Sequence, residues 1–184
     1  KSLKYSEQVR SGIAEALAFL PNNDEKFSSC RTHSIKRQIG NCVNALLIDG
    51  DWKQWASLNS YLPELSEAAP SEFMEAIEKL AGSEVLADLF NQEGDGFYGG
   101  NHLTGIYWSL EGLAWDDDYL VRVVDLFGQL DIQDPGGRWA NRPLNSLTDI
   151  FLPWMPHNLS SIERQIIAIE ALIKNNRETA FNLL

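Results

Sequence analysis

Acidic side chains stand beside aromatic rings at two places in this sequence, and this combination is the one best suited to acid–base chemistry. The two places are Glu93, Asp95, Phe97 and Tyr98, and then Trp115 to Asp118. Carboxyl groups next to aromatic rings occur in helical-toroid glycosidases; in glycosidases one carboxyl group protonates the leaving oxygen and another carboxylate activates water or attacks the sugar. A closed toroid needs more helices than this chain predicts. A hydrolase fragment that uses acidic loop residues is therefore the alternative interpretation of the chain.

Two partial metal-ligand patterns are present, and neither is complete. Cys30, His33 and Cys42 supply three zinc-type ligands, but no fourth ligand is spaced to complete a structural site. The segment from Asn91 to His102 imitates a calcium loop, yet histidine stands where the bidentate glutamate is required. The sequence therefore predicts no metal ion and no cofactor.

The glycine-rich segment from Pro135 to Pro143 is the candidate binding loop. It contains Arg138, Trp139, Asn141 and Arg142, and tryptophan and arginine are enriched in binding hot spots. In the opposite interpretation the loop is architectural, with the arginines capping a helix end and the tryptophan filling a packing gap. The sequence leaves both interpretations open.

Motifs that identify common enzymes are absent from the sequence. It has no phosphate-binding G-x-x-x-x-G-K-[ST] loop, no G-x-S-x-G nucleophile elbow and no H-E-x-x-H metal helix. We therefore expect this chain to be non-catalytic.

Hydrophobic residues recur with the period of an α-helix along most of the chain, whereas the period-two alternation of strands is missing. Five apolar stripes carry the pattern. They are Val9, Ile13, Ala16, Leu17 and Leu20; Ile35, Ile39, Cys42, Val43, Leu46 and Leu47; Leu103, Ile106, Tyr107, Leu110, Leu113 and Ala114; Leu120, Val123, Val124, Phe127 and Leu130; and Ile162, Ile166, Ile169 and Ile173. The phase of the second stripe predicts that Cys42 faces the core.

Helix boundaries are marked by short polar signals. Pro70 is placed to start one helix, and Gly82 is placed to end it. Ser34, Asp51 and the run Asp116 to Asp118 are placed to cap the helices that follow them. We expect eight to ten helices.

Three helices share a phrase in which a glutamate stands between apolar neighbours, at Glu15, Glu111 and Glu170. The intervals between them follow no single period, so insertions must interrupt any repeat. The pattern predicts an all-α fold: one domain over residues 1–184, built as an irregular HEAT-like or armadillo-like superhelix or as stacked helical hairpins.

Composition narrows the partner classes. The chain has 184 residues, 44% of them hydrophobic, and its 15 basic and 26 acidic residues give a net charge of −11. This charge disfavours a nucleic-acid partner, and no apolar run approaches the length of a membrane span. Two cysteines and the lack of an apolar leader favour the cytoplasm. The chain begins at Lys1 rather than methionine, and we expect it to be part of a longer polypeptide.

The candidate binding loop, continued through Leu144–Leu147 and Ile150–Pro156, resembles the helical C-terminal region of large bacterial STAND-type P-loop NTPases. The segments Ser6–Leu20 and Gly105–Asp116 are similar to neighbouring parts of that region, so the resemblance covers about half of the chain. It implies a cytoplasmic multidomain protein whose nucleotide-binding core lies upstream, and some members of the family are implicated in defence against phage. No catalytic residue is carried over, since none of the NTPase motifs occurs here.

Together these patterns predict a binding, sensor or scaffold domain that recognises a protein partner, a ligand or upstream domains of the same polypeptide. Arg138, Trp139, Asn141 and Arg142 are its expected binding residues.

Overall fold

The computed structural model describes most of the chain, and all of its regular secondary structure is helical within that part. The described residues are 5–27, 34–91, 102–136, 139–152, 154–155 and 157–183. They contain eleven α-helices and two short 3-10 helices and no strand. The all-α prediction is confirmed. The expected number of eight to ten helices is close to that observed, and α3, α4 and α11 are only seven residues long.

The helices follow one another with short connections. Their bounds are α1 Glu7–Phe19, a 3-10 helix Pro21–Phe27, α2 Ile35–Leu47, α3 Trp52–Leu58, a 3-10 helix Asn59–Tyr61, α4 Leu62–Ala68, α5 Pro70–Ala81, α6 Glu84–Asn91, α7 Thr104–Leu113, α8 Leu120–Gln133, α9 Pro143–Ile150, α10 Ile162–Asn175 and α11 Arg177–Leu183.

Most of the boundary signals act as predicted. Pro70 occupies the first turn of α5, where a missing N–H costs nothing, and Gly82 ends the helix as its C-cap. Asp51 caps α3, because its carboxylate accepts a hydrogen bond from the Gln54 amide at 2.8 Å. Ser34 occupies the N-cap position of α2 as predicted, but its side chain makes no capping hydrogen bond.

The prediction that Asp116 to Asp118 cap the next helix is wrong. Tyr119 is the N-cap of α8, and it makes no side-chain capping bond. The Asp116 carboxylate instead accepts a hydrogen bond from the Asp118 amide at 2.9 Å, which closes a local Asx turn before the helix begins. Local turn formation therefore takes the oxygen that a cap would have used.

Helices α7 and α8 form the centre of the core. Every residue of their two predicted stripes is buried, including Tyr107 and Phe127, whose ring centroids lie 6.2 Å apart. Trp55 of α3 and Phe73 of α5 extend the same core toward the N-terminal half. The buried apolar residues of α3, α5, α7 and α8 therefore belong to one continuous core.

The packing order makes the fold an array. Among the described residues, extensive contacts join helices that are no more than three elements apart. Most pairings between helices that are not adjacent in sequence are three helices apart: α1 with α4, α2 with α5, α3 with α6, α4 with α7, α5 with α8 and α8 with α11. Other pairings, including α2 with α4, α8 with α10 and α9 with α11, are two helices apart, so the array is irregular.

The outer helices depart from the predicted stripes. In α1, Ala14 and Ala18 contact the core, whereas Val9 and Ile13 are exposed. In α2, Ile39, Val43 and Leu47 are buried, and Cys42 is exposed. The prediction that Cys42 faces the core is therefore wrong: Cys42 lies about 100° around the helix from Val43, on a side of α2 that is exposed.

None of the helices within the described ranges combines the length and the apolar run that crossing a bilayer requires.

Candidate functional site

The loop between α8 and α9 is held together by a largely buried ion pair. Asp134 is the C-cap of α8, and its Oδ1 accepts a hydrogen bond from Arg142 Nη1 at 2.8 Å. The side chains of Arg142 and Asp134 are 12% and 9% exposed. The same oxygen accepts the Gly136 amide at 2.9 Å, and Gly136 has a φ of 73°, a conformation that glycine adopts without a steric penalty. The ion pair thus fixes both ends of the loop.

The predicted binding residues are placed differently from one another. Arg142 is the N-cap residue of α9 and donates from Nε to the Trp139 carbonyl at 3.2 Å, so its guanidinium maintains the geometry of its own loop. Trp139 and Asn141 are half-buried. Arg138 lies outside the described residues. Asn141 is the member of the set that lines a cavity.

This cavity has a volume of about 360 Å³ and lies between α7, the loop and α9. Its walls are mostly polar and include two carboxylates. The lining residues are Glu111, Ala140, Asn141, Asn145, Ser146, Thr148 and Asp149. We call it the Glu111 cavity.

The surroundings of Glu111 shift the pKa of its carboxyl group. Ser146, which is buried on α9, donates from Oγ to Glu111 Oε1 at 2.6 Å. Burial raises the pKa of the Glu111 carboxyl above its ordinary value because the charged form loses hydration. The Ser146 hydrogen bond and the charge of His157 act in the opposite direction, and the charge of Asp149 adds to the rise in pKa.

Trp115 and His157 form an aromatic pair close to Glu111. Their rings stack with centroids 6.4 Å apart and planes inclined by 19°. The His157 amide donates to the Asp149 carbonyl at 3.1 Å, which ties the segment after α9 to the helix that carries the cavity wall. The imidazole therefore stays within electrostatic reach of Glu111.

These groups suit a small polar ligand that donates hydrogen bonds to the two carboxylates. The side-chain amides of Asn141 and Asn145 add polar groups on the loop side, although Asn145 Nδ2 already donates to the Ala140 carbonyl. Within the described residues, no three histidine, cysteine or acidic side chains lie close enough together to hold a metal ion. Cys30, His33 and most of the Asn91–His102 loop fall outside those residues.

The sequence patterns do not reveal this cavity. Glu111 belongs to a repeated phrase in the sequence, and no motif marks Ser146 or Asp149 as functional residues. One signal was available, because Ser146 shares its helix face with Pro143, Leu147 and Ile150, all of which are buried. A hydroxyl on a buried apolar face requires a hydrogen-bond partner, and a carboxylate elsewhere in the chain is such a partner.

The stability contribution of Glu111 is expected to depend on pH. Since the pKa is raised in the folded state, the native protein binds more protons than the unfolded chain at intermediate pH, and stability is lost as the pH rises from the ordinary value of 4.5 through the folded value. Glu111→Gln has no charge to bury. The free energy of unfolding of this variant, relative to that of the wild type, should therefore be larger at pH 7.5 than at pH 4.5 in urea melts, which means that the variant gains relative stability as the pH rises. An unchanged difference at the two pH values would contradict the assignment.

A second feature is an exposed apolar stripe on α10, formed by Ile162, Ile166, Ile169 and Ile173. We call it the C-terminal apolar face. The sequence predicts only that this stripe is the apolar side of a helix; in the structure Ile162, Ile166 and Ile173 are 71%, 50% and 43% exposed, and Ile169 is half-buried. Helix α10 packs on α8 through Ala168 and Leu172, which lie about a quarter of a turn or more from the stripe. The apolar stripe therefore lies on the flank of the array.

Replacing two residues of this face should leave the fold intact. The double variant Ile162→Gln, Ile166→Gln is expected to change the free energy of unfolding by no more than about 0.5 kcal/mol, because exposed side chains contribute little packing. Leu172→Ala, on the buried face of the same helix, should cost about 2 to 5 kcal/mol. Urea melts of the three proteins measure both effects. A loss of several kcal/mol in the double variant would place the stripe in the core.

Comparisons with known proteins assign no relative: no family model matches the chain, and no curated protein or solved structure is significantly similar to it.

Proposed function

We propose that the chain is a non-catalytic helical binding domain that docks against a protein partner, namely upstream domains of the same polypeptide, and acts as a sensor or scaffold. The observation that carries the proposal is the C-terminal apolar face. Three isoleucines at helical spacing are exposed on one side of α10, whereas the apolar stripes of the central helices α7 and α8 are buried. Contiguous apolar surface of this kind marks interaction sites in soluble proteins.

The position of the face supports docking rather than a chance exposure. In a stacked helical array the terminal repeat normally presents a polar outer surface, since an exposed apolar surface would cause non-specific association. Helix α10 instead exposes isoleucine, a residue that is rarely placed toward water at repeated positions. A partner surface that covers this stripe would complete the burial that the sequence pattern implies.

The resemblance to the helical region of STAND-type NTPases identifies the partner that the proposal favours. A nucleotide-binding core upstream of Lys1 would supply an intramolecular surface, and the domain would then transmit occupancy of its own sites to that core in the cytoplasm. The Glu111 cavity is one such site. Its size suits a small ligand, and the loop that carries Asn141 forms one of its walls.

The test is the reading frame that precedes Lys1. The proposal expects it to encode a G-x-x-x-x-G-K-[ST] loop following a strand and opening a helix. A secretion signal directly before the domain, with no such loop, would contradict the proposal.

A hydrolase is the second candidate function, and the Glu111 cavity is the observation that favours it. A general acid needs a carboxyl group with a raised pKa beside a second carboxylate, and Glu111 and Asp149 line the same cavity. Assay of the wild type and Glu111→Gln against a panel of chromogenic glycosides tests this candidate. Turnover by the wild type that is lost in the variant would support it, and no turnover by the wild type would exclude these substrates.

A further inference from the structure

An apolar groove lies at the opposite end of the array from the C-terminal apolar face, between α1, α2, α4 and the segment that ends α3. Its volume is about 280 Å³. Aliphatic side chains from all four elements form its walls. They are Ile13, Leu17, Leu46, Leu58 and Leu65. The groove is slightly smaller than pockets for drug-sized ligands, which begin at about 300 Å³.

The groove exists because α1 contacts the core through small residues. Ala14 and Ala18 are the buried positions of this helix, and neither side chain is long enough to fill the space beside it. Ile13 is 54% exposed although it lines the groove. The chain's own described side chains therefore leave the apolar walls partly uncovered.

Arg10 gives the groove one positive charge. It is the only charged side chain among the described residues that line the groove. Its guanidinium carbon lies 5.3 Å from the centroid of the Tyr61 ring, a cation–π contact that holds the head group in place. The Nε atom is buried and has no hydrogen-bond partner among the described residues. Because Nε is closed to solvent, a ligand in the groove would reach the guanidinium through its terminal Nη atoms.

We propose that the groove binds a small monocarboxylic acid with an apolar body. The carboxylate accepts hydrogen bonds from the Arg10 guanidinium, whose planar donors match the two carboxylate oxygens. The hydrocarbon part lies along Ile13, Leu17 and Leu65, where it covers exposed apolar surface. This inference goes beyond the proposed docking function, and it does not involve α10.

The charge of the protein selects a monoanion. The net charge of −11 repels anions in general, and a single arginine offsets one negative charge but not the two of a phosphate monoester. A carboxylic acid also combines one charge with a hydrocarbon chain, which the aliphatic walls require.

The experiment titrates the protein with decanoate and, separately, with decanol, and follows the methyl resonances of Ile13, Leu17 and Leu65 by NMR. We expect decanoate to shift these methyl signals and to bind at least about tenfold more tightly than decanol, which corresponds to one charge-assisted hydrogen bond of about 1.4 kcal/mol. Equal affinities for the two probes, or decanoate shifts elsewhere in the protein, would overturn the proposal.

Three variants make the test specific. Arg10→Met keeps the apolar stem, so decanoate binding should fall by about tenfold or more while decanol binding is unchanged. Arg37→Met removes an exposed arginine from the neighbouring helix α2 and should leave decanoate affinity at the wild-type value. If Arg10→Met does not fold, Arg10→Lys replaces it: the lysine retains the charge, so decanoate should stay preferred over decanol. Wild-type decanoate affinity in Arg10→Met, or loss of the preference in Arg10→Lys, would contradict the assignment.

Discussion

Gly105→Ala is expected to destabilise the protein by about 3 kcal/mol or more, because a β-carbon at this position would collide with backbone. Gly105 opens the first turn of α7 directly against the Asn59 carbonyl, which the added atom would overlap. The Gly105 amide also donates to Asn59 Oδ1 at 2.8 Å, so the clash would break a hydrogen bond between the two segments. Relief requires movement of α7 relative to the 3-10 helix that begins at Asn59, and α7 lies at the centre of the core.

Gly112→Ala provides the matched control on the same helix. A β-carbon at Gly112 meets no atom within 4 Å, and alanine is the better helix former, so this variant should gain about 0.5 to 1 kcal/mol. Urea melts of both variants give the comparison. Similar free energies of unfolding for Gly105→Ala and Gly112→Ala would show that α7 does not approach Asn59 as the structure has it.

Asp134→Ala is expected to cost about 3 to 5 kcal/mol, the loss typical of removing one partner from a buried ion pair. The Arg142 guanidinium would keep its charge in a site with little access to water. The Gly136 amide would lose its acceptor at the same time, so the loop between α8 and α9 would lose its restraint at both ends.

Asp49→Ala is the control for this effect. The Asp49 carboxylate lies 2.7 Å from Lys79 Nζ, a distance similar to that in the Asp134 to Arg142 pair, but both side chains are exposed. Its removal should change stability by less than about 1 kcal/mol, as for other surface ion pairs. Thermal or urea melts distinguish the two variants. If Asp134→Ala and Asp49→Ala lose the same small amount, the pair with Arg142 is not buried in solution.

Hydrophobic periodicity predicted the buried faces of the central helices α7 and α8 because neighbouring helices pack against those faces. Several neighbouring helices contact α7 and α8 and cover their main apolar stripes, whereas Trp108 and Ile132, on other faces of these two helices, are exposed. The outer helices failed for the complementary reason. The spacing of Ile162, Ile166 and Ile173 shows which side of α10 is apolar, but it carries no information on whether another element covers that side.

The candidate site was harder to predict because its contacts join distant parts of the chain. The composition of one loop indicates Asn141 and Arg142 as candidate binding residues. In the structure Asn141 lines the Glu111 cavity, and Arg142 holds the neighbouring loop through its ion pair with Asp134. The Glu111 to Ser146 hydrogen bond spans 35 positions, and no local spacing encodes such a pair. The sequence also does not indicate the partner of Arg142: the architectural interpretation pairs this arginine with a helix end, whereas the structure pairs it with Asp134.

The most direct test of the proposed docking function is a calorimetric titration of the chain with the polypeptide encoded immediately upstream of Lys1. The wild-type domain should form a complex. Ile162→Gln, Ile166→Gln should weaken it by at least about tenfold, because removing two apolar contacts from an interface centre costs about 2 kcal/mol or more. Glu163→Gln, an exposed change between those two positions, should bind as the wild type does. Equal binding by all three proteins, or no complex with the wild type, would contradict the account.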